Sequence, residues 1–281
     1  MTEWFSNQSI SKKTTTRPAH HHHHMHHTLE LCAGTGSFSR ACTVSGSTPI
    51  TVDIDPSFQP THVCDVRQFD YTRLYPDKKT FRYIWCSPPC THYSNAKRSG
   101  IRDYNEADSI VRRCLEIIDY YDCELWFIEN PSTGYLKTRP CMNGRPYHVV
   151  DYCAYEDSGR KKATAIWTNH ATFVPRRCAG VGKCPSMVGT RHRATCTGSY
   201  WDPTWKSKRG RAIECARVPL ALVDDLLCAS ASNFPCMVVH THTHTHHANT
   251  KPQAAQDDCQ AVQQHTPKAN PGVAEEVVAR S

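Results

Sequence analysis

Leu29-Glu30-Leu31-Cys32-Ala33-Gly34-Thr35-Gly36-Ser37-Phe38-Ser39 is the stretch on which the fold turns. It reads as a short apolar strand, a glycine turn, and a segment able to start a helix at Ser37 or Ser39. Gly34 and Gly36 let backbone approach a ligand where any Cβ would collide. A lone Gly-x-Gly is weak evidence, because many turns between a strand and a helix carry one. The next strands sharpen it. Pro49 to Ile54 ends in Asp53-Ile54-Asp55, about twenty residues on, where a carboxylate is placed to accept hydrogen bonds from ribose hydroxyls. A third pulse, Thr61 to Val66, carries Asp65 at its edge. Either Asp alone could cap the next helix. Three successive strand ends carrying Gly-x-Gly, Asp and Asp point to a nucleoside-type cofactor.

A fourth apolar run, Phe81 to Trp85, is stopped by Ser87-Pro88-Pro89. Proline fixes its own φ and restricts the residue before it, so this exit is stiff and extended. Cys90 is the first residue able to turn off that rail. In an open α/β sheet, ligands sit at the carboxyl ends of strands. A thiol held there is a candidate nucleophile; the competing reading is a buried structural cysteine. Tyr104 to Tyr121 places Ala107, Ile110, Val111, Cys114, Leu115, Ile117 and Ile118 at helical spacing, a core-facing helix. Leu125 to Ile128 is a fully apolar strand ending in Glu129-Asn130-Pro131. Glu129 thus falls on the carboxyl edge of the strand expected beside that of Cys90. A carboxyl held against apolar neighbours tends to keep its proton, as an acid must; the plainer reading is a turn cap. Tyr147 to Tyr155 and Thr164 to Thr168 read as a further strand pair, and Val218 to Leu227 as a short helix packing back on the domain.

At 281 residues the chain can bury a sizeable core. Its 16 cysteines are irregularly spaced and accompany no secretory signal or transmembrane run, which argues against a disulfide scaffold or membrane protein and for free thiols in a reducing, cytoplasmic or host-cell interior. The net charge of +7 suits a polyanionic partner. The charge is concentrated: thirteen basic residues from Arg160 to Arg217 face only Asp202 and Glu214, with Trp167, Tyr200, Trp201 and Trp205 interleaved. Basic residues with scattered aromatics suggest phosphate contacts plus stacking surfaces on nucleic acid. Residues 1–28, with a tract from His20 to His27, and 231–281, with alternating His and Thr from His240, read as solvated tails.

With these residues in view, the chain resembles the DNA (cytosine-5)-methyltransferases of the small, Dcm-like kind found in phages and other viruses. Leu31-Cys32-Ala33-Gly34-Thr35-Gly36-Ser37-Phe38 is similar to the family's cofactor loop. Asp53 and Ile54 fall where the family holds ribose and adenine, and Asp65 where it meets the adenine edge. Pro88-Pro89-Cys90-Thr91-His92-Tyr93-Ser94 matches its Pro-Cys nucleophile motif, with Ser94 four residues on. Glu129-Asn130-Pro131 matches the motif that carries its catalytic acid. The resemblance covers about Leu29 to Ala229 in unpermuted order. It implies an α/β, class I S-adenosylmethionine-dependent methyltransferase: a Rossmann-like, mostly parallel sheet with helices on both faces and a small target-recognition region. The implied layout is a catalytic domain over 29–170, a recognition region over 171–211, and a returning helix within 212–230.

The implied cofactor is S-adenosylmethionine, and the implied partner is double-stranded DNA with one cytosine flipped out of the stack, bound by a monomer. The family's Gln-x-Arg-x-Arg motif is not matched: aligned on Ile166-Trp167-Thr168, its two arginine positions hold Ala163 and Ala165. Arg160, Lys161 and Lys162 are the substitutes available to touch the base. Near the end, the family's Gly-Asn-x-Val appears only as Ala216-Arg217-Val218-Pro219. Within the recognition region, Cys178, Cys184, His192 and Cys196 offer a tetrahedral zinc set, though without Cys-x-x-Cys spacing; unliganded thiols are the alternative. Rival functions are a tRNA cytosine-5 methyltransferase, a catalytically decayed DNA-binding protein, and an amino-group methyltransferase. The last uses an aromatic residue after Pro-Pro where this chain has Cys90.

Overall fold

The first strand begins two residues before the expected start of the fold at Leu29. Thr28 is fully buried, its Oγ1 2.6 Å from Ser47 Oγ, and His27 already has sheet partners on both sides, Thr48 and Phe81. Both neighbouring strands extend that far, so the ladder carries His27 and Thr28 into the sheet. The computed structural model describes residues 27–44, 46–156, 160–196 and 208–228. The tails, and Tyr200, Trp201 and Trp205 of the basic segment, lie outside the described residues.

His27–Leu31 forms β1, and the glycine turn leads into α1 (Ser37–Val44). β2 (Thr48–Asp53) and β3 (His62–Val63) follow, then a single turn, α2 (Tyr71–Leu74), and β4 (Phe81–Cys86). The long α3 (Tyr104–Tyr120) connects β4 to β5 (Leu125–Pro131). Next come β6 (Tyr147–Asp151), β7 (Arg160–Lys161) and β8 (Ala163–Thr168). Three two-residue strands follow: β9 (Met187–Val188), β10 (Arg191–His192) and β11 (Ala194–Thr195). The last elements are α4 (Lys208–Ala216) and α5 (Leu220–Cys228).

The main sheet runs β3-β2-β1-β4-β5-β8-β6. Its first five strands are parallel, while β8 is antiparallel to both of its neighbours. The chain winds outward from β1 to β3 and then returns to start again at β4 beside β1. That reversal opens a crevice at the carboxyl ends of β1 and β4, the usual ligand site of such a sheet. The order and direction are those of a class I methyltransferase sheet, as the resemblance implies.

Strand alternation divides the core between the two faces. Leu29, Leu31, Ile84, Cys86, Ile128, Ala165 and Trp167 share one apolar layer with Val111, Cys114, Leu115 and Ile118 of α3. Tyr83, Trp85, Phe127 and Ile166 share the other with Phe38 of α1 and Leu222, Val223 and Leu226 of α5. Phe38 stacks on Trp85 at 4.6 Å between ring centroids. α3 starts where the Asp103 carboxylate accepts the Glu106 N–H, an N-cap that satisfies one orphan donor of the first turn. Two features go beyond the expected layout. The recognition segment is built on two-residue pairings, β9 with β10 and β11 with β7, and a nine-residue helix, α4, closes it.

Candidate active site

The crevice is lined first by the glycine turn. Cys32, Gly34 and Gly36 all take left-handed φ, at 52°, 49° and 62°, so the chain doubles back sharply after β1. The turn is fixed on both flanks. The Ala33 N–H donates to the Val52 carbonyl at 3.1 Å, and Ser87 N–H donates to the Leu31 carbonyl at 3.1 Å. Asp53 Oδ2 accepts the Gly34 N–H at 2.7 Å, and Oδ1 accepts the Asp55 N–H at 2.8 Å. Asp53 therefore shapes the loop with both oxygens, while each keeps a lone pair for a hydroxyl. A Cβ on Gly34 would have nothing within 4 Å, so the turn faces open space. Ile54, next in line, is 68% exposed, an apolar surface beside that space. Asp65 caps the turn after β3 by accepting the Arg67 N–H at 2.9 Å. The Arg67 guanidinium holds the Asp65 carboxyl below the usual carboxylate range. Below the loop, buried Glu30 accepts the Ser39 N–H at 2.8 Å, and burial pushes its carboxyl up to about 7. An open cradle of bare backbone, an exposed apolar side chain and two carboxylates fit a nucleoside cofactor.

The second wall is the exit of β4. Cys90 is half-buried, and its carbonyl accepts the Tyr93 and Ser94 N–H groups at 3.0 and 2.7 Å, closing a turn directly after the proline rail. Asn130, at the end of β5, is fully buried and donates through Nδ2 to the Pro88 carbonyl at 2.9 Å. A Cβ on Gly134 would sit 3.2 Å from the Tyr93 carbonyl oxygen, which shows how closely the two turns approach. Further out, the Tyr93 hydroxyl donates to Asp108 Oδ1 at 2.8 Å, and Arg139 Nη2 donates to Asp108 Oδ2 at 2.9 Å. This partly buried triad pins the Cys90 turn to α3. Its members are separated by 15 and 31 residues, and no local sequence pattern marks them. Ser94 is used in the same turn: its Oγ accepts the Ala96 N–H at 3.1 Å.

Glu129 lies buried on β5 with Lys162 Nζ 3.0 Å from its Oε1. The Tyr152 hydroxyl approaches the same oxygen at 3.4 Å. The sequence predicts apolar surroundings for this carboxyl; instead it meets an ammonium and a phenol, because β8 inserts beside β5 and carries Lys162 in with it. Burial works against the Lys162 charge, but the Glu129 carboxylate and Tyr152 outweigh it and leave the ammonium above its usual pKa. Burial pushes the Cys90 thiol above its ordinary value, the Glu129 charge pushes the same way, and Lys162 pulls it down. The three side chains form one electrostatic unit at the carboxyl ends of β4 and β5.

The other two basic candidates go elsewhere. Arg160 is buried over the Tyr152 ring, where it bonds the Glu156 carboxylate, the Glu214 carbonyl and the Arg217 carbonyl. It clasps α4 to the sheet. Lys161 is exposed on β7, in a cavity it shares with Arg177, Arg191 and His192. Of the four candidate metal ligands, Cys178, Cys184 and His192 come together, but Cys196 does not join them. Its thiol bonds that of Cys215, since the pairing of β11 with β7 turns the chain toward α4. The fourth member of the cluster is Cys153.

No protein-family model matches the chain. Two solved structures overlay on it loosely. The methyltransferase EhMeth of Entamoeba histolytica is 12% identical, with a TM-score of 0.47, over 73% of this chain and 98% of that one. A mutant DNMT2 of Spodoptera frugiperda is 18% identical, with a TM-score of 0.36, over 55% of this chain and 53% of that one. The sequence relationship is stronger. A protein of Frog virus 3 (isolate Goorha), described as a "Probable DNA (cytosine-5)-methyltransferase", is 37% identical over 219 residues, which span 71% of this chain and 97% of the relative. With that identity along nearly the whole relative, the chain belongs to the DNA (cytosine-5)-methyltransferase family.

Proposed function

We propose that the chain transfers a methyl group from S-adenosylmethionine to carbon 5 of cytosine in double-stranded DNA, with the base turned out of the duplex and held covalently by Cys90. The observation that carries this reading is the grouping of Cys90, Glu129 and Lys162 beside the crevice of β1 and β4. Ala33 to Gly36, Asp53, Ile54 and Asp65 would hold the cofactor, which supplies an electrophilic methyl group when bound.

Carbon 5 of cytosine is a weak nucleophile, and the protein's part is to strengthen it. Cys90 loses its proton, and the thiolate adds to carbon 6, forming a C–S bond and moving the ring's electron pair toward carbon 5. Glu129, a carboxylate beside Lys162 in the free protein, takes up a proton from solvent as the base enters and delivers it to ring nitrogen 3 as charge builds there. Both Lys162 and Tyr152 bond Oε1, which leaves Oε2 to face the ring nitrogen and the exocyclic amine. Lys162 acts through Glu129 as a positioning residue, in the region where the family places an arginine. After methylation a base takes the carbon 5 proton, that electron pair restores the ring, the C–S bond breaks to free Cys90, and ring nitrogen 3 returns its proton to Glu129. Asn130 holds the Pro88 carbonyl and so fixes the approach of the thiol. A stacked base cannot reach these groups, so the base must leave the helix. Residues 171–211 are assigned to target recognition because the chain's basic residues are concentrated there and Ala194–Thr195 within them pairs with β7, next to Lys162.

Incubation of the full chain with methyl-labelled cofactor and either DNA or tRNA tests the reading. Label in DNA, located at carbon 5 of cytosine by bisulfite sequencing, is the expected result. Label in tRNA alone would assign the site to RNA, and DNA binding without transfer to either would make it a decayed enzyme.

A further inference from the structure

Four side chains unused by this chemistry converge in the recognition segment. The ligand atoms of Cys153, Cys178, Cys184 and His192 all lie within 4.8 Å of one another. Cys178 Sγ is 3.4 Å and Cys184 Sγ 3.6 Å from His192 Nε2. A tetrahedral zinc ion with ordinary Zn–S and Zn–N bonds requires edges of about 3.5 to 3.8 Å between its ligands. Cys153, Cys184 and His192 are buried and Cys178 half-buried, so four protein ligands are available to close the shell.

The backbone is shaped to deliver them. Gly180 and Gly182, at φ of 81° and 75°, turn the chain between Cys178 and Cys184. The β9–β10 hairpin pairs Met187 with His192 across Gly189, at φ 59°, and so returns His192 to Cys184. Cys153 comes from the turn after β6, and Asp151, just before it, accepts the Cys178 N–H at 3.0 Å and Arg177 Nε at 2.7 Å. Among its described residues the segment has little core of its own. Its strands are two residues long, and Val174, Val181 and Val188 are 79%, 61% and 69% exposed. Small units without a core commonly rely on a metal for their folding free energy.

We infer that Cys153, Cys178, Cys184 and His192 bind one structural zinc ion that ties the recognition segment to the end of β6. On binding, the three thiols release their protons to solvent and no redox change occurs. The inference does not rest on the methyl-transfer reading, since its readout is metal content.

The full chain, stripped with chelator and reloaded with cobalt, should show thiolate-to-cobalt charge transfer and the intense visible bands of a tetrahedral ion. Because Cys236 and Cys259 accompany the histidines of the carboxyl-terminal tail, the band is read in a Cys236→Ser/Cys259→Ser background, where it should persist. Zinc measured on purified protein after a mild chelator wash should be about one per chain and stay so in Cys196→Ser. It should fall to background in Cys153→Ser and Cys184→Ser. Cys184→His restores a ligand of another type and should recover the metal, which separates loss of a ligand from loss of fold. No thiolate band in the wild-type chain, or zinc lost with Cys196→Ser and kept with Cys153→Ser, overturns the inference.

Discussion

Glu129→Gln separates two roles that a single carboxylate plays beside Cys90. In the acid role proposed above, Glu129 would supply the proton that relieves charge on the ring, and losing a positioned acid lowers turnover by about 10² to 10⁴-fold, or about 3 to 5 kcal/mol of barrier. As charge, it raises the pKa of the Cys90 thiol. The neutral amide removes that second effect, so the Cys90 thiolate forms at lower pH. The sign is robust. If Lys162 keeps its charge, its pull on the thiol goes unopposed; if it loses its proton, both charges vanish, and the Glu129 contribution is the larger. Deleting one partner of a buried ion pair costs about 3 to 5 kcal/mol of stability, and the Gln carbonyl, which can still accept from Lys162 Nζ, keeps the loss at or below the lower end. The variant should therefore fold, alkylate more readily and methylate poorly. Peptide-resolved alkylation of Cys90 by iodoacetamide across pH, beside single-turnover methyl transfer to DNA, measures both effects. Turnover within threefold of wild type, or an alkylation profile displaced to higher pH, would refute the roles assigned to Glu129.

Asn130→Ala should cost about 1 to 3 kcal/mol by freeing the Pro88 carbonyl, and should lower kcat while calorimetry finds cofactor affinity unchanged. Gly34→Ala forces a side chain into left-handed φ, at about 1 to 2 kcal/mol, and puts a methyl into the open cradle; cofactor affinity should fall well before DNA affinity does. Glu30 gives a pH signature. Its carboxyl moves from an ordinary 4.5 to about 7 in the fold, so the fold favours the protonated form. The stability this adds is present below about 4.5 and is lost as pH rises through about 7, a swing of about 3 kcal/mol. Glu30→Gln should flatten the fall in melting temperature between pH 6 and 8; an unchanged slope contradicts the assignment.

The residues readable in the chain are those whose chemistry is local. The glycine turn follows a strand it terminates, the proline rail dictates where Cys90 emerges, and Glu129-Asn130-Pro131 ends an unmistakable apolar run. The α3 pattern extends to within one residue of the observed helix. What stays hidden depends on chain folded back from far away. Lys162 reaches Glu129 across 33 residues, because an antiparallel strand enters the sheet next to β5. Arg160 carries the same charge two positions earlier, yet points into a clasp on α4. Cys153 is separated from Cys178 by two strands and a loop, and contacts such as those of Asp151 bring them together. Two-residue strands such as β9 and β10 carry no periodicity to detect.

The claim on which the chemistry depends is a covalent bond between Cys90 and carbon 6 of an extruded cytosine. DNA carrying 5-fluorocytosine tests it most directly, because fluorine at carbon 5 cannot leave as a proton does and the adduct is trapped. With S-adenosylmethionine present, the wild-type chain should form a complex that survives denaturing electrophoresis, with the DNA on the peptide bearing Cys90 and no complex from Cys90→Ser. Wild-type protein that methylates ordinary DNA without trapping, or Cys90→Ser that turns over normally, would contradict it.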